Sequence, residues 1–294
     1  MKNAIKIFGI IAIIAVIGFA MIGCDLGSGD DGSSTTGGNN NGNGNDNDNN
    51  NGNGNGSSNV LDFIYEETYY NTIYITGYTG QGSSVTIPAQ INGKPVSIIA
   101  GGTFKDCINL TVINVDTAST YFSSMDGVLY NKAQTRLERY PIGRTGTFTI
   151  PVGVTSIGSW AFDGCTGLTG ITIPSSVTSV DGFGGCTGLT TVNIPSGVTS
   201  IASIAFEGCA NLASVTIPGS VTRIGGYAFY KCDNLNRITF GAGSAITDDN
   251  FGFLGGSNIG LGILGFGRYL YTGTGTYTRS GNGTIASPWV WRKS

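Results

Sequence analysis

The sequence predicts a mostly β solenoid with irregular and short helical turns, and three observations predict it. One unit recurs four times between residues 154 and 240, as VTSIGSWAFDGCTGLTGITIP, VTSVDGFGGCTGLTTVNIP, VTSIASIAFEGCANLASVTIP and VTRIGGYAFYKCDNLNRITF. Its phenylalanines, Phe162, Phe183, Phe206 and Phe229, stand 21, 23 and 23 residues apart, a period that belongs to stacked repeats. Each unit also ends in two apolar residues separated by one, usually closed by Pro, as in Val215-x-Ile217-Pro218. That spacing places both apolar side chains on one side of a strand, and Pro ends the strand because it cannot donate to a ladder.

Within the unit each residue type has a mechanical reason. Leu212-x-x-Val215-x-Ile217 has the L-x-x-L-x-L character of leucine-rich repeats. Val221 and Ile224 begin a return arm, Phe229 fills the wider part of the coil, and pairs such as Gly225-Gly226 allow the turns. The 21-residue unit lacks the counterparts of two residues around 158–160, so its outer arm is expected to be pinched near 181–184.

The joint recurrence of I-P, S-V-T-x-I-G, A-F and C-x-x-L over about residues 72–240 resembles the BspA-type leucine-rich repeat of treponemal surface proteins and oral bacterial adhesins. The resemblance implies a curved, right-handed leucine-rich-repeat solenoid with a parallel sheet on its inner face. It also implies an exported protein associated with attachment to host or bacterial surfaces.

From the N-terminus, residues 1–23 have the layout of an export signal: Lys2 and Lys6, then the apolar run 7–20. That run is short for a membrane-crossing helix, which needs about 20 residues. Met21-Ile22-Gly23-Cys24 resembles a bacterial lipoprotein processing site, with Met where Leu is usual, as in the looser sites of spirochaetes. The resemblance implies a mature chain starting at an acylated Cys24, the partner being the lipid bilayer of the cell envelope. Several acyl chains anchor stably because each buried methylene contributes about 0.8 kcal/mol. The outer membrane or cell surface is the expected location, with a periplasm-facing arrangement as the alternative. The other reading is an uncleaved anchor with Cys24 incidental. Residues 24–59, lipidated Cys plus a Gly/Asn/Asp-rich stretch, contain too little apolar surface to offset chain ordering and read as a tether.

Residues 60–84 are expected to supply capping strands, with period-2 alternation at Ile73 and Ile75. Repeats run over 85–240, and Asn92-Gly93 within the first is a hairpin signal. Phe104 and Phe162 stand 58 residues apart, 35 beyond a 23-residue step. The excess, 116–149, is expected to form a β-hairpin packed on or bulging from the solenoid, with strands at Val128-Leu129-Tyr130 and Leu137-Glu138-Arg139-Tyr140. Its Lys132, Arg136, Arg139 and Arg144 are expected on the hairpin's wet face. Residues 241–294 read as a decayed repeat and closing cap, in which Trp289 and Trp291 share one side.

Cys107, Cys165, Cys186, Cys209 and Cys232 each follow the repeat's phenylalanine by three residues. In an exported chain cysteines first suggest disulfides, but this phase favours one interior column of free thiols acting as small hydrophobes. Thr172, Asn193, Thr216 and Thr239, with Thr191, Ser214 and Arg237 alongside, alternate with the buried residues of the strands. They are the candidate binding face for an unknown protein or glycan partner.

The chain has 15 Lys plus Arg, 18 Asp plus Glu and no His. That balance argues against a nucleic-acid binder, and the lack of His removes imidazole bases and His-containing zinc sites. No G-x-S-x-G elbow or phosphate loop occurs, and no motif calls for a metal or cofactor. The expectation is a non-catalytic, membrane-anchored scaffold with an adhesin-like interaction role. The alternative is a structural envelope lipoprotein without a tight ligand.

Overall fold

In the computed structural model residues 60–244, 275–280 and 290–293 are described, and every structural statement concerns these. The expected signal segment, Cys24, the tether, the apolar run 251–270 and Trp289 lie outside the described residues. The chain forms a β-solenoid of about seven turns. A 3-10 turn at Val60–Asp62 is the one helical element among the described residues. No helix among them is long and apolar enough to cross a membrane.

Chain order gives β1 (Phe63–Glu67), β2 (Ile73–Tyr78), β3 (Ser84–Ile87), β4 (Gln90–Ile91), β5 (Lys94–Ile99) and β6 (Val112–Val115). Next come β7 (Phe122–Met125), β8 (Val128–Asn131), β9 (Arg136–Arg139), β10 (Gly146–Thr149), β11 (Ser156–Ile157) and β12 (Leu168–Thr172). β13 (Ser179–Val180), β14 (Thr191–Asn193), β15 (Ser200–Ile201), β16 (Ser214–Ile217), β17 (Arg223–Ile224) and β18 (Arg237–Phe240) follow, then β19 (Gly275–Ser280) and β20 (Val290–Lys293).

Two faces of each coil are parallel ladders. The strands ahead of Pro pair as β3–β6, β10–β12 and β14–β16–β18. The V-T-x-I return strands pair as β2–β5, β9–β11 and β13–β15–β17. A repeated turn joins the faces: the carbonyls of Pro151, Pro174, Pro195 and Pro218 each accept the amide of the valine three residues on, at 3.0–3.1 Å. The third side has no strand. There the amides of Phe162, Phe183 and Phe206 donate at 2.8 Å to carbonyls of the next coil, at Gly182, Ala205 and Ala228. Backbone groups are thus satisfied on all three sides, as burial requires.

Apolar periodicity decides what lies inside. Val192, Val215 and Ile238 are buried while the residues flanking them along each strand face outward. Phe162, Phe183, Phe206 and Phe229 stack ring on ring, at 4.6, 5.3 and 5.4 Å with interplanar angles of 5°, 12° and 3°. The short coil closes because Gly182 has φ +82° and its backbone sits so near Gly158 that a Cβ would fall 2.2 Å from the Gly158 oxygen. Only glycine fits that approach.

The N-terminal strands divide between cap and ladder. β1 is antiparallel to β2, whereas β2 is already a parallel rung, with Ile73 opposite Val96 and Ile75 opposite Ile99. Asn92 and Gly93, at φ 52° and 73°, make the tight turn between β4 and β5. In the 116–149 segment β7 and β8 are joined by a tight turn at Asp126-Gly127. The expected strands at 128–130 and 137–140 pair antiparallel as β8 and β9, and the second of them is also a rung of the solenoid. β9 pairs antiparallel with β8 and parallel with β11, Leu137 opposite Ile157, because Thr135-Arg136-Leu137 takes the place of Thr155-Ser156-Ile157. β10 is likewise a rung, so the segment carries a full coil.

Candidate face on the parallel ladder

The β10–β18 ladder sets seven sequence-expected residues in two rows. Thr191, Ser214 and Arg237 are register partners, and so are Asn193, Thr216 and Thr239. Thr172 is the partner of Thr149 on the neighbouring β10–β12 pair. Thr172, Thr191, Asn193, Thr216 and Arg237 are exposed, and Ser214 and Thr239 are half-buried. Strand spacing is about 4.8 Å and same-face residues along a strand lie about 6.7 Å apart. The face is therefore a grid of hydroxyls and one amide, with a single guanidinium at its C-terminal end.

What distinguishes this face from the return face is the state of its side chains. On the return face the hydroxyls of Thr155, Thr199 and Thr222 donate to the carbonyls of Thr135, Thr178 and Thr199, at 3.2–3.3 Å. On the candidate face the side chains of Thr172, Thr191, Asn193 and Thr216 make no hydrogen bond to any described residue. Thr239 differs, its Oγ1 lying 3.2 Å from Thr276 Oγ1 on the antiparallel strand β19. The sequence reading missed Thr147 and Thr149, which are exposed and extend the rows. Their spacing before Ile150-Pro151 is that of Gly170 and Thr172 before Ile173-Pro174, and that spacing was the available signal. The ladder is also divided, since β12 and β14 are not paired.

The cysteines lie on the opposite wall, inside. Cys165, Cys186, Cys209 and Cys232 are buried, Cys107 is half-buried, and all five are free thiols. Cys186, Cys209 and Cys232 donate from Sγ to the phenylalanine carbonyls one coil back, Phe162, Phe183 and Phe206, at 3.0–3.1 Å. Burial pushes the Cys165 thiol up to about 12. A proton-bearing sulfur that donates to a buried carbonyl is a structural group, not a nucleophile. Among the described residues no group of three or more His, Cys, Asp or Glu is placed to hold a metal ion.

The expectation for the basic segment needs correction at one residue. Lys132 and Arg136 are exposed and Arg144 is half-buried, 5.7 Å from the Tyr140 ring. Arg139 is instead buried, at 3% exposure. The Tyr140 amide still meets the Ala161 carbonyl at 2.7 Å, but two residues on, where later coils have glycine, this coil has Pro141-Ile142, and the Asp163 carbonyl is met by a side chain. In later coils Gly164, Gly185 and Gly208 supply an amide to Gly184, Glu207 and Tyr230. Here Arg139 donates to the Asp163 carbonyl at 3.0 Å and also to the Trp160 carbonyl. A side chain replaces a missing rung.

Residues 144–253 match the BspA type leucine rich repeat region in six copies. No curated protein matches the chain. Among solved structures, the pneumococcal vaccine antigen PcpA is 21% identical with a TM-score of 0.50, over 54% of this chain and 39% of that one. A leucine-rich repeat protein from Eubacterium ventriosum is 27% identical with a TM-score of 0.46, over 58% of this chain and 51% of that one. A Treponema pallidum leucine rich repeat protein is 26% identical with a TM-score of 0.34, over 66% and 92%. The chain thus spans about half or less of the first two, and the likeness to PcpA is one of fold.

Proposed function

We propose that this chain, a leucine-rich repeat protein carrying BspA-type repeats over residues 144–253, is a non-catalytic, lipid-anchored scaffold. It engages a protein or glycan at the cell surface through the face of β10, β12, β14, β16 and β18. The observation that carries the reading is that this face holds the side chains of Thr172, Thr191, Asn193 and Thr216 uncommitted among the described residues, while on the return face Thr155, Thr199 and Thr222 bond to their own ladder. In-register rows of unsatisfied donors and acceptors complement a partner that presents polar groups at a matching repeat, and solenoid faces are common binding surfaces. Anchoring rests on the sequence of residues 1–24, with Cys24 as the acylated residue and the envelope as the location.

The test is a surface replacement. The exposed side chains of Asn193 and Thr216 extend into solvent, so Asn193→Lys with Thr216→Lys leaves the interior unchanged while adding two cations to the grid. Adhesion of cells displaying the chain to host cells or immobilised matrix is expected to fall at least about tenfold, the scale of two lost or repelled polar contacts, with the melting temperature unchanged. Undiminished adhesion would overturn the assignment to this face. Membrane attachment is read separately: Cys24→Ser should release the chain from the detergent phase, and protease treatment of intact cells should remove the repeats.

A further inference from the structure

The strandless third side of the solenoid is notched at the short coil. A slot of about 290 Å³ opens there, lined by Trp160 and Asp163 from the coil before, Gly184 and Gly185 from the short coil, and Ile204 and Glu207 from the coil after. One residue after the phenylalanine, where Gly184 stands, the other coils carry Asp163, Glu207 and Tyr230. With no side chain on Gly184, the Asp163 carboxylate leans over the floor, its Oδ1 2.6 Å from where a Cβ would fall. Trp160 and Ile204 each precede their phenylalanine by two residues, so they form walls two coil steps apart, about 10 Å. A flat group in contact with both walls needs about 7–8 Å.

The walls point to an occupant. Trp160 and Ile204 are 49% and 42% exposed. Ile204 also keeps a β-branched side chain at φ 57°, a conformation such residues rarely adopt, and strain of this kind clusters at functional sites. The carboxylates set the sign of that occupant. Burial holds the Asp163 carboxyl above its ordinary value; Arg139 opposes the rise and Glu207 adds to it, so two acids face one slot. Asp163 has Arg139 behind it, but Glu207, half-buried, makes no hydrogen bond or ion pair with a described residue. Lys231, at the rim, holds its Nζ 5.1 Å from the centre of the Tyr230 ring. We propose that this slot takes an arginine side chain of a partner protein. The guanidinium donates to the Glu207 carboxylate, and its plane and stem lie between the Trp160 indole and Ile204. A planar, weakly hydrated cation suits both stacking on an aromatic face and forked bonding to a carboxylate. The slot lies on a different side of the coil from the β10–β18 ladder and does not depend on the reading of that face.

The probe is N-acetyl-arginine amide against N-acetyl-citrulline amide, which keeps the shape and loses the charge. Both are titrated into the full chain and followed by the indole N–H resonance of Trp160, assigned by its loss in Trp160→Phe. The arginine probe is expected to shift that resonance saturably and to bind at least about tenfold more tightly than citrulline, the difference a hydrogen bond to a charged group makes. N-acetyl-lysine amide, which cannot stack, should bind more weakly than arginine. Gly184→Tyr, which places in the slot the side chain that Tyr230 carries in a later coil, should weaken the arginine probe at least about tenfold. Because that variant must displace the Asp163 carboxylate and can fail to fold, Glu207→Gln, which leaves the floor untouched, is the deciding variant. It should erase the preference for arginine over citrulline with the melting temperature unchanged. No saturable shift, equal binding of arginine and citrulline, lysine as tight as arginine, or an unchanged preference in Glu207→Gln overturns the proposal.

Discussion

Removing the ring of Phe183 tests whether the aromatic stack holds the coils together. Phe183 is fully buried, with Phe162 at 4.6 Å on one side and Phe206 at 5.3 Å on the other. A buried Phe→Ala change destabilises by about 3–5 kcal/mol, and each ring pair contributes about 0.5–1.5 kcal/mol beyond its area. Two pairs place Phe183→Ala near the top of that range, about 4–5 kcal/mol. Phe229 has one stacked partner, Phe206 at 5.4 Å, and is 3% exposed, so Phe229→Ala belongs near about 3 kcal/mol. For a chain of this size each kcal/mol lowers Tm by about 2–4 °C. Melts by circular dichroism should then fall about 10–15 °C for Phe183→Ala and clearly less for Phe229→Ala. Phe183→Leu, which restores most of the volume but no π face, should recover about half of the loss. Equal losses at the two positions, or full recovery by Leu, would refute the stacking argument and leave only volume.

Three further outcomes follow from other residues. Iodoacetamide should leave Cys165, Cys186, Cys209 and Cys232 unmodified in the native chain, as their burial requires, and should modify all five repeat thiols after denaturation without reductant; fewer would mean disulfides. Ile204, β-branched and 42% exposed, sits at φ 57°, a conformation that Asn tolerates, so Ile204→Asn should raise stability by about 1 kcal/mol, seen as a higher Tm. Burial holds the Glu138 carboxyl above its usual value, opposed by Arg136, and likewise raises Asp163, opposed by Arg139. A carboxyl whose folded pKa is raised contributes stability below its unfolded value that is lost as pH rises through the folded one. Glu138→Gln should therefore stabilise the chain at pH 7 and lose that advantage below about pH 4, and a pH-independent effect on Tm would contradict it.

Much of the ladder was legible because its period repeats the same physical problem. Val215 and Ile217 sit where a strand must turn two side chains inward, and Pro218 stops it, so sequence alone places Thr216 outward. The 116–149 segment was harder to read. Thr135-Arg136-Leu137 carries the return-strand pattern with Arg where Ser is usual, and its coil has Tyr140 in place of Ala-Phe, so the motif fell below recognition and its strand read only as a hairpin arm, not also as a rung of the ladder. Burial of Arg139 was not legible at all. It follows from the Asp163 carbonyl, which a glycine amide meets at the equivalent place in later coils and Arg139 meets here, and a charge at that position reads as solvent-facing until the neighbouring coil is in place. Thr147 and Thr149 were lost for the same reason, since the rung that carries them was assigned elsewhere.

The reversal at β19 has a consequence for how such a chain changes in length. Every rung from β14 to β18 presents the same parallel edge to the next, so a coil of 23 residues can be duplicated or removed there without altering what its neighbours meet. β19 runs antiparallel to β18, with Thr239 opposite Thr276, and an antiparallel strand offers no edge on which another parallel coil repeats the pattern. The interior of the stack is thus a countable quantity that inheritance can adjust one unit at a time, while the terminus keeps a fixed address. Variants of this protein with more or fewer coils should keep the β18–β19 junction and differ in the number of Phe–Cys units before it.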